Sequence, residues 1–286
     1  MNPRRTTGQC ATLACLLEAA APKVGNVHRG ADFEDLTFND FLVSAAAIGP
    51  AMDQAEQTGV GAACLAAIQA TRAVVSTNAN LGIVLLLAPL AAAPRSQPLR
   101  AATLDVLSRL TPADSRDVYA AIRMAQPGGL GEASEMNVTR DAPPPSLLDA
   151  MRAAADRDLI ARQYVDGFRH VFEVLVPWLE QDLARGVRLT DAIVHAQVQF
   201  LAQERDSLIV RKRGGEAADQ ARDFARAVLR FGGPGDDEYY QALGDFDFWL
   251  RADGHGRNPG ATADLIAASL FVLIREGRIE DRRLAT

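Results

Sequence analysis

The segment from Leu81 to Ala93 constrains the fold more than any other part of the sequence. Nearly all of its residues are apolar, so no face of it suits contact with water and the segment must be buried. It contains Pro89 and is too short to span a bilayer. Its periodicity fits a buried strand and a buried helix equally well. Because no other segment offers a partner strand, we predict a helix over Leu81 to Ala92.

The remaining apolar residues also recur at helical spacing, and the aromatic content of 6% favours helices over strands. We predict an all-α, single-domain bundle of about ten helices over residues 1–286, with a polar cleft lined by loops and helix ends. Gly- and Pro-rich residues 126–145 are predicted to form a loop and possible lid. The main predicted segments are Thr7–Ala21, Phe38–Ile48, Pro50–Gln57, Ala62–Val75, Leu99–Leu110, Ala113–Ala125, Ser146–Pro177, Thr190–Val210, Glu216–Phe231, Asp236–Ala252 and Ala263–Arg275.

Charge and cysteine usage exclude several classes of protein. The net charge of −6 argues against a general nucleic-acid binder, which usually carries a basic excess. The three cysteines, Cys10, Cys15 and Cys64, form no CxxC pair and indicate reduced thiols. No apolar region of secretory type follows Arg4 and Arg5. We therefore expect a cytoplasmic protein that binds neither nucleic acid nor membrane.

The first polar segment, Ala21 to Asp32, lies between two apolar helical patterns. Lys23 offers a cation for phosphate, and Gly25 lets the backbone approach a ligand closely. Asn26 supplies further polar contacts, while His28 and Asp32 are candidates for moving a proton. The alternative is a polar loop with a purely structural role.

A second candidate group lies in the predicted Ser146–Pro177 helix. Asp156 precedes Ile160 by four residues and so continues the apolar stripe, where a carboxylate needs a partner or a metal. Asp158 and Arg162 are i,i+4 neighbours. The competing interpretation is a surface salt bridge beside one half-buried aspartate.

A third group is basic. Arg205 falls on the apolar stripe of the predicted Thr190–Val210 helix, followed by Asp206, and Arg211 and Lys212 extend the cationic surface. An inward arginine backed by such a run is typical of a polyphosphate clamp. A basic run taken alone is more often a solvated face.

Two short segments complete the candidate site. Asn258, Gly260 and Thr262 lead into a helix N-terminus, a ready anion site, although Thr262 is also explained as a helix cap. Asn78 and Asn80 precede the apolar segment and suit a nucleobase or ribose, or an Asx turn.

These segments together resemble a known family. The stretches Pro22–His28, Asn78–Gly82, Ala155–Ala161, Arg205–Ile209 and Asn258–Leu265 look like successive blocks of the triphosphoribosyl-dephospho-coenzyme A synthase family, in order along nearly the whole chain. The resemblance implies an all-helical enzyme. The implied reaction joins ribose C1 of ATP to the 2′-hydroxyl of 3′-dephospho-coenzyme A and releases adenine.

The resemblance also implies roles for the candidate residues. Asp156 and Asp158 would bind Mg²⁺ or face the ribose, and His28 or Asp32 would handle the proton. The remaining candidates would bind the nucleotide: Lys23, Gly25, Asn26, Asn78, Asn80, Arg162, Arg205, Asp206, Arg211, Lys212, Asn258, Gly260 and Thr262. Expected partners are ATP with Mg²⁺, a coenzyme A-like acceptor and a second copy of the chain in a homodimer.

The chain departs from the common family pattern at three places. Val24 stands where the family usually has a second proline, and Asn78 to Gly82 replaces the Thr-His-Lys-Gly type block of the lyase-associated branch. Asn26 to His28 stands where that branch tends to have an aspartate. These departures leave open a related ribosyl transferase with another acceptor, such as one in one-carbon or pterin cofactor assembly. A non-catalytic nucleotide-binding protein on the same fold is the third hypothesis.

Overall fold

Helices form the regular structure of the protein in a computed structural model that describes residues 5–126 and 142–285. These two ranges contain thirteen α-helices and no strand, so the predicted all-α class is confirmed with a somewhat higher helix count. The predicted loop over 127–141 lies outside the described residues. The helices are α1 Thr7–Ala20, α2 Phe38–Thr58, α3 Val60–Arg72, α4 Leu81–Ala92, α5 Leu99–Ser108, α6 Pro112–Ala125, α7 Leu147–Ala154, α8 Leu159–Asp166, α9 Val176–Ala184, α10 Leu189–Gln203, α11 Ser207–Leu229, α12 Asp237–Arg251 and α13 Gly260–Arg275.

Two helices occupy the centre of the molecule, α4 and α13. Every residue of α4 except Gly82 is buried, which confirms the helix predicted from its apolar sequence. In α13 all residues but Gly260 and Asp264 are buried. Helices α1, α2, α8 and α10 pack around this pair in one apolar core. No helix in the described ranges is both long and apolar enough to cross a membrane.

Helix α2 is one helix where the sequence predicted two. Pro50 lies inside it, although an internal proline costs a helix about 3 kcal/mol or more. Tight packing on α1 accounts for the continuity: a Cβ atom on Gly8 would lie 2.1 Å from the Gly49 carbonyl oxygen. Thr12 also donates a hydrogen bond of 3.0 Å to the carbonyl of Ala45. Tertiary contacts on both sides of Pro50 therefore outweigh its local effect.

The predicted Ser146–Pro177 helix is wrong as a single element. It is divided into α7, α8 and a π-helical segment, His170–Leu175, that runs into α9. Asp158 begins α8 as its N-cap, and its Oδ1 accepts the N–H groups of Ile160 and Ala161. Gly167 ends α8 at a φ of 68°. Local capping therefore overrides the apolar periodicity.

The predicted Thr190–Val210 helix is also divided. Helix α10 ends at Gln203, and Asp206 caps α11, which continues to Leu229 through a kink at Gly214. Glu216 follows this break directly, since Gly214 has a non-helical φ of 84° and ψ of 172°, so the predicted start at Glu216 coincides with the kink. Helices α10, α11 and α12 enclose a second apolar cluster, and the exposed Phe224 stacks on Phe246 of that cluster.

Candidate active site

A cavity of about 970 Å³ opens where the N-terminal ends of four helices meet. The first turns of α4, α8, α11 and α13 all contribute to its wall, through Leu81, Ile160, Leu208 and Ala261 respectively. Helix N-termini carry partial positive charge, so each is a favourable place for an anion, even though Asp158 and Asp206 already accept N–H groups of α8 and α11. Four of them at one cavity favour a highly charged anionic ligand.

Basic side chains on α11 add full positive charges to this wall. Arg211 and Lys212 lie in its second turn and line the cavity. Arg211 Nη1 is 3.4 Å from Asp158 Oδ2, and Lys212 donates to the carbonyl of His255. Burial, followed by the charge of Arg211, lowers the pKa of Lys212 from its usual value. Neither cation has a short ion pair, so both remain available for phosphate oxygens.

A carboxylate lines the same cavity as these cations. Asp264 lies in the second turn of α13, deep in the protein but with part of its surface toward the cavity. Burial raises the pKa of its carboxyl well above the usual value, and the negative charges of Glu18, Asp206 and Asp158 raise it further. Within the described residues it makes no hydrogen bond or ion pair, which is unusual for a carboxylate in such surroundings.

Gly82 is the residue that makes room for Asp264. A Cβ atom on Gly82 would lie 1.9 Å from Asp264 Oδ2, so no larger residue fits beside the carboxylate in this position. Gly82 itself lines the cavity at the first turn of α4. The glycine therefore allows two helix N-termini and a carboxylate to occupy the same corner of the site.

A buried ion pair supports this corner. Glu18 lines the cavity, and its Oε1 is 2.9 Å from Lys23 Nζ. Lys23 is 0% exposed and also donates to the carbonyls of Glu18 and Ala21. Glu18 Oε2 is buried and has no hydrogen-bond partner in the described part of the chain. Lys23 thus lies behind the wall, next to a carboxylate rather than next to the cavity.

The first polar segment reaches the cavity through Asn26. Its Nδ2 donates to Asn258 Oδ1 at 2.5 Å, and its Oδ1 accepts from Gln197 Nε2 at 2.7 Å. Gln197 also bonds the backbone of Val24 on both sides, as donor to its carbonyl and as acceptor from its N–H. These bonds fix the loop between α1 and α2 against α10 and the start of α13.

Eight of the predicted site residues line the cavity, and nine do not. The lining residues are Asn26, Asn78, Asn80, Asp158, Arg211, Lys212, Asn258 and Gly260. The others have structural contacts elsewhere: Lys23, Gly25, His28, Asp32, Asp156, Arg162, Arg205, Asp206 and Thr262.

Three structural expectations about the second set are corrected. Asp156 is exposed in the turn between α7 and α8 and does not lie on an apolar stripe. Arg205 lies in the break between α10 and α11, where its side chain is 48% exposed and pairs with Asp219. Thr262 is inside α13, and its N–H and hydroxyl both donate to Asp206 Oδ2, at 2.7 and 2.8 Å. For Asp156 and Arg205 the physical reason is the same, since a helix breaks where the side-chain cap Asp158 or Asp206 competes with periodicity, whereas α13 begins earlier than predicted, at Gly260.

The remaining members of this set make hydrogen bonds or ion pairs with neighbouring backbone or side-chain groups. Gly25 donates its N–H to Asp247, and Asp32 accepts the N–H of Phe38 near the start of α2. Arg162 donates to the carbonyl of Ala155 and lies near Glu204. His28 accepts the N–H of Gly30, and burial lowers the pKa of its imidazole.

The sequence interpretation did not assign Glu18, Arg72 or Asp264 to the site. Glu18 is the only charged residue of α1, and Asp264 is the only acidic residue of α13. A carboxylate embedded in an apolar helical pattern was the available signal for both. No group of three or more His, Cys, Asp or Glu side chains suited to a metal is present in the described ranges.

Comparison with known proteins places the chain. A family model described as ATP:dephospho-CoA triphosphoribosyl transferase matches residues 4–283. A crystal structure from Archaeoglobus fulgidus, provisionally assigned as a triphosphoribosyl-dephospho-CoA synthase, is similar with 26% identity and a TM-score of 0.63. The match covers 82% of this chain and 99% of that chain. No curated protein matches the chain significantly. By the extent of the family match, the chain belongs to the ATP:dephospho-CoA triphosphoribosyl transferase family.

Proposed function

We propose that this protein transfers the 5-triphosphoribosyl group of ATP to the 2′-hydroxyl of 3′-dephospho-CoA and releases adenine. The observation that carries the proposal is the meeting of four helix N-termini with Arg211 and Lys212 at one cavity. A triphosphate that stays intact needs a binding site for its charge, and this arrangement supplies one.

The bond changes balance as follows. The bond between ribose C1′ and the adenine nitrogen breaks, and its electron pair leaves with the base, which takes a proton from water. The bond between C1′ and the acceptor's 2′-oxygen forms, and that oxygen loses its proton. Asp264 is proposed to receive it, because it lines the cavity and its carboxylate oxygens make no hydrogen bond or ion pair within the described residues.

The positive ribose of the transition state also needs negative charge nearby. A carboxylate stabilises such an oxocarbenium-like centre, as in glycoside hydrolysis. Asp158 lines the same cavity and is the second candidate for this role. His28 and Asp32, which the sequence suggested for the proton, stay predictions that rest on the sequence alone, since neither lines the cavity.

Magnesium is proposed to enter with the triphosphate and to neutralise part of its charge. Mg²⁺ usually keeps several waters and takes one or two protein carboxylates plus phosphate oxygens, so it needs no cage of three protein ligands. Asp158 lines the cavity, and its Oδ2, the oxygen that does not cap α8, fits that requirement. Asp156, the other predicted ligand, is exposed two residues away. A cytoplasmic location remains a proposal, supported by three buried, unpaired cysteines.

Adenine release separates the three hypotheses. The protein is incubated with ATP and Mg²⁺, with and without dephospho-CoA, and adenine is measured by chromatography. Adenine only with dephospho-CoA supports the proposal. Adenine without it indicates another acceptor, including water. No adenine, but stabilisation of the protein by ATP against thermal unfolding, indicates a non-catalytic nucleotide-binding protein.

A further inference from the structure

Helices α6 and α7 line the cavity with apolar side chains, several of which also belong to the main apolar core. In α7 the stripe consists of Leu147, Ala150, Met151 and Ala154, spaced as one face of a helix, and all four line the cavity. In α6 the lining residues are Tyr119, Ile122 and Ala125. We call these seven residues the apolar wall.

The apolar wall is unsuited to the phosphates that Arg211 and Lys212 attract. It contains no cation, and its only polar group is the hydroxyl of Tyr119. Apolar surface in contact with water costs about 25 cal/mol per Å², and contiguous patches of it commonly mark binding sites. The wall therefore calls for a ligand portion that is long and largely apolar.

We propose that the apolar wall binds the pantetheine arm of dephospho-CoA, an inference that rests on the proposed function. Of the two substrates, ATP is polar along most of its length, and its triphosphate belongs at Arg211 and Lys212. Dephospho-CoA carries a chain of methylene and methyl groups that ends in a thiol. That chain matches an apolar passage, and both substrates must occupy one cavity for their reacting atoms to meet.

Unpartnered polar atoms next to the cavity fit the two amides of this arm. Asn80 is 4% exposed, and its Nδ2 donates to Thr71, but its Oδ1 has no partner in the described residues. The Thr77 hydroxyl is buried and equally unpartnered within those ranges. Both residues line the cavity at the start of α4. An amide N–H of the arm supplies the donor that Asn80 Oδ1 lacks.

A space-filling substitution tests the assignment. Ala150→Trp places an indole on the apolar wall, and Arg152→Trp places the same group on the exposed face of α7 as the matched control. Initial rates of adenine release are measured with dephospho-CoA and with ADP, which has the acceptor's adenosine and diphosphate but no arm. Ala154→Trp, one turn along, serves if the first variant does not fold by circular dichroism.

The expected results are specific to the acceptor. In the unmodified protein the KM for ADP as acceptor should exceed that for dephospho-CoA at least tenfold. Ala150→Trp should raise the KM for dephospho-CoA at least tenfold and leave the KM for ATP within twofold, whereas Arg152→Trp should change neither.

Three results would overturn the inference. Equal KM values for ADP and dephospho-CoA in the unmodified protein would mean that the arm makes no contact. An unchanged KM for dephospho-CoA in Ala150→Trp, or in Ala154→Trp where that variant replaces it, would show that the apolar wall does not bind the arm. A rise in the KM for ATP instead would place adenine there. Absence of any adenine release from the unmodified protein with dephospho-CoA would contradict the proposed function first, and the inference with it.

Discussion

Asp264 is a carboxylate without a partner in the described residues, next to the place where the protein brings its cations together. Replacing it by asparagine keeps the size of the side chain but removes the base. If Asp264 takes the proton from the acceptor, Asp264→Asn should lower kcat on the order of 10²- to 10⁴-fold. The measurement is dephospho-CoA-dependent adenine release by the folded variant, and an unchanged kcat would remove Asp264 from the mechanism.

The same variant should be more stable than the unmodified protein at neutral pH. The pKa of Asp264 is raised in the folded protein, so its ionisation costs folding free energy as the pH rises above the unfolded-state value. Asparagine cannot ionise, so the gain should be present at pH 7 and should shrink toward pH 4. Thermal unfolding at both pH values measures it. A variant less stable than the parent at pH 7 would contradict this cost, because it would show that the carboxylate stabilises the folded protein.

Gly82 offers an independent test of the same corner. Gly82→Ala places a methyl group 1.9 Å from the present position of Asp264 Oδ2, so the carboxylate must move. We expect kcat to fall at least tenfold while the helical circular dichroism is retained. Gly244→Ala in α12 is the matched control, because a Cβ atom there meets nothing within 4 Å. That change should leave activity intact and stabilise the protein by about 0.5 to 1 kcal/mol. If Gly82→Ala and Gly244→Ala changed kcat equally, this would refute the role of Gly82 in making room for Asp264.

Individual site residues could be predicted in part. Asn26, Asp158, Arg211 and Asn258 were recognisable because polar groups cluster at helix starts and in Gly-rich loops. Asp264 was not assigned, since its importance depends on Gly82, which is 182 residues earlier in the chain. Contacts of that range leave no periodic signal in a single sequence.

At the scale of elements, Asp206 connects two helices that form the site. Its Oδ1 caps the first turn of α11, and its Oδ2 accepts both donors of Thr262 in α13. Asp206→Ala removes all of these bonds from a residue that is 1% exposed. We expect the free energy of unfolding to fall by about 2 to 4 kcal/mol, measured by urea denaturation.

The neighbouring residue provides the control for that prediction. Arg205 pairs with Asp219 at the surface, and exposed pairs of this kind contribute about 0 to 1 kcal/mol. Arg205→Ala should therefore change stability little and leave adenine release near the parent value. If Arg205→Ala lowered the free energy of unfolding as much as Asp206→Ala, this would contradict the assignment of Arg205 to the surface and of Asp206 to the core.

The positions of helices were more predictable than their ends. Apolar periodicity located α1, α4, α5, α6 and α12 within a few residues. It failed at Asp158 and Asp206, where a carboxylate accepts backbone N–H groups and starts a new helix inside a continuous apolar pattern. It failed in the opposite sense at Pro50, where packing of α2 on α1 maintains the helix. Capping and tertiary packing decide such positions, and neither is encoded in periodicity.

At the scale of the whole molecule, the cavity depends on helices that are far apart in sequence. Ligand binding should therefore stabilise the fold as a unit. ATP with Mg²⁺ at about 100 times its Kd should raise the free energy of unfolding by about 2.7 kcal/mol. Differential scanning fluorimetry measures the shift. Lys212→Gln should reduce it, whereas no shift in the parent protein would contradict an ATP site.

The general architecture followed from the sequence, but the shape of the cavity did not. An apolar segment that must be buried, Leu81 to Ala92, correctly indicated a central helix. The apolar wall on α6 and α7 looked like ordinary core-facing stripes, because a sequence pattern does not distinguish a face against the core from one against a cavity. Which apolar residues remain open to a ligand depends on the final packing of all the helices.

The fate of the terminal phosphate tests the central claim most directly. ATP labelled with ³²P in its γ-phosphate is incubated with the protein, Mg²⁺ and dephospho-CoA, and the products are separated by chromatography. A triphosphoribosyl transferase should move the label into the dephospho-CoA product, with one adenine released per label transferred. Label that appears as free phosphate or pyrophosphate, or label transferred without release of adenine, would contradict the account.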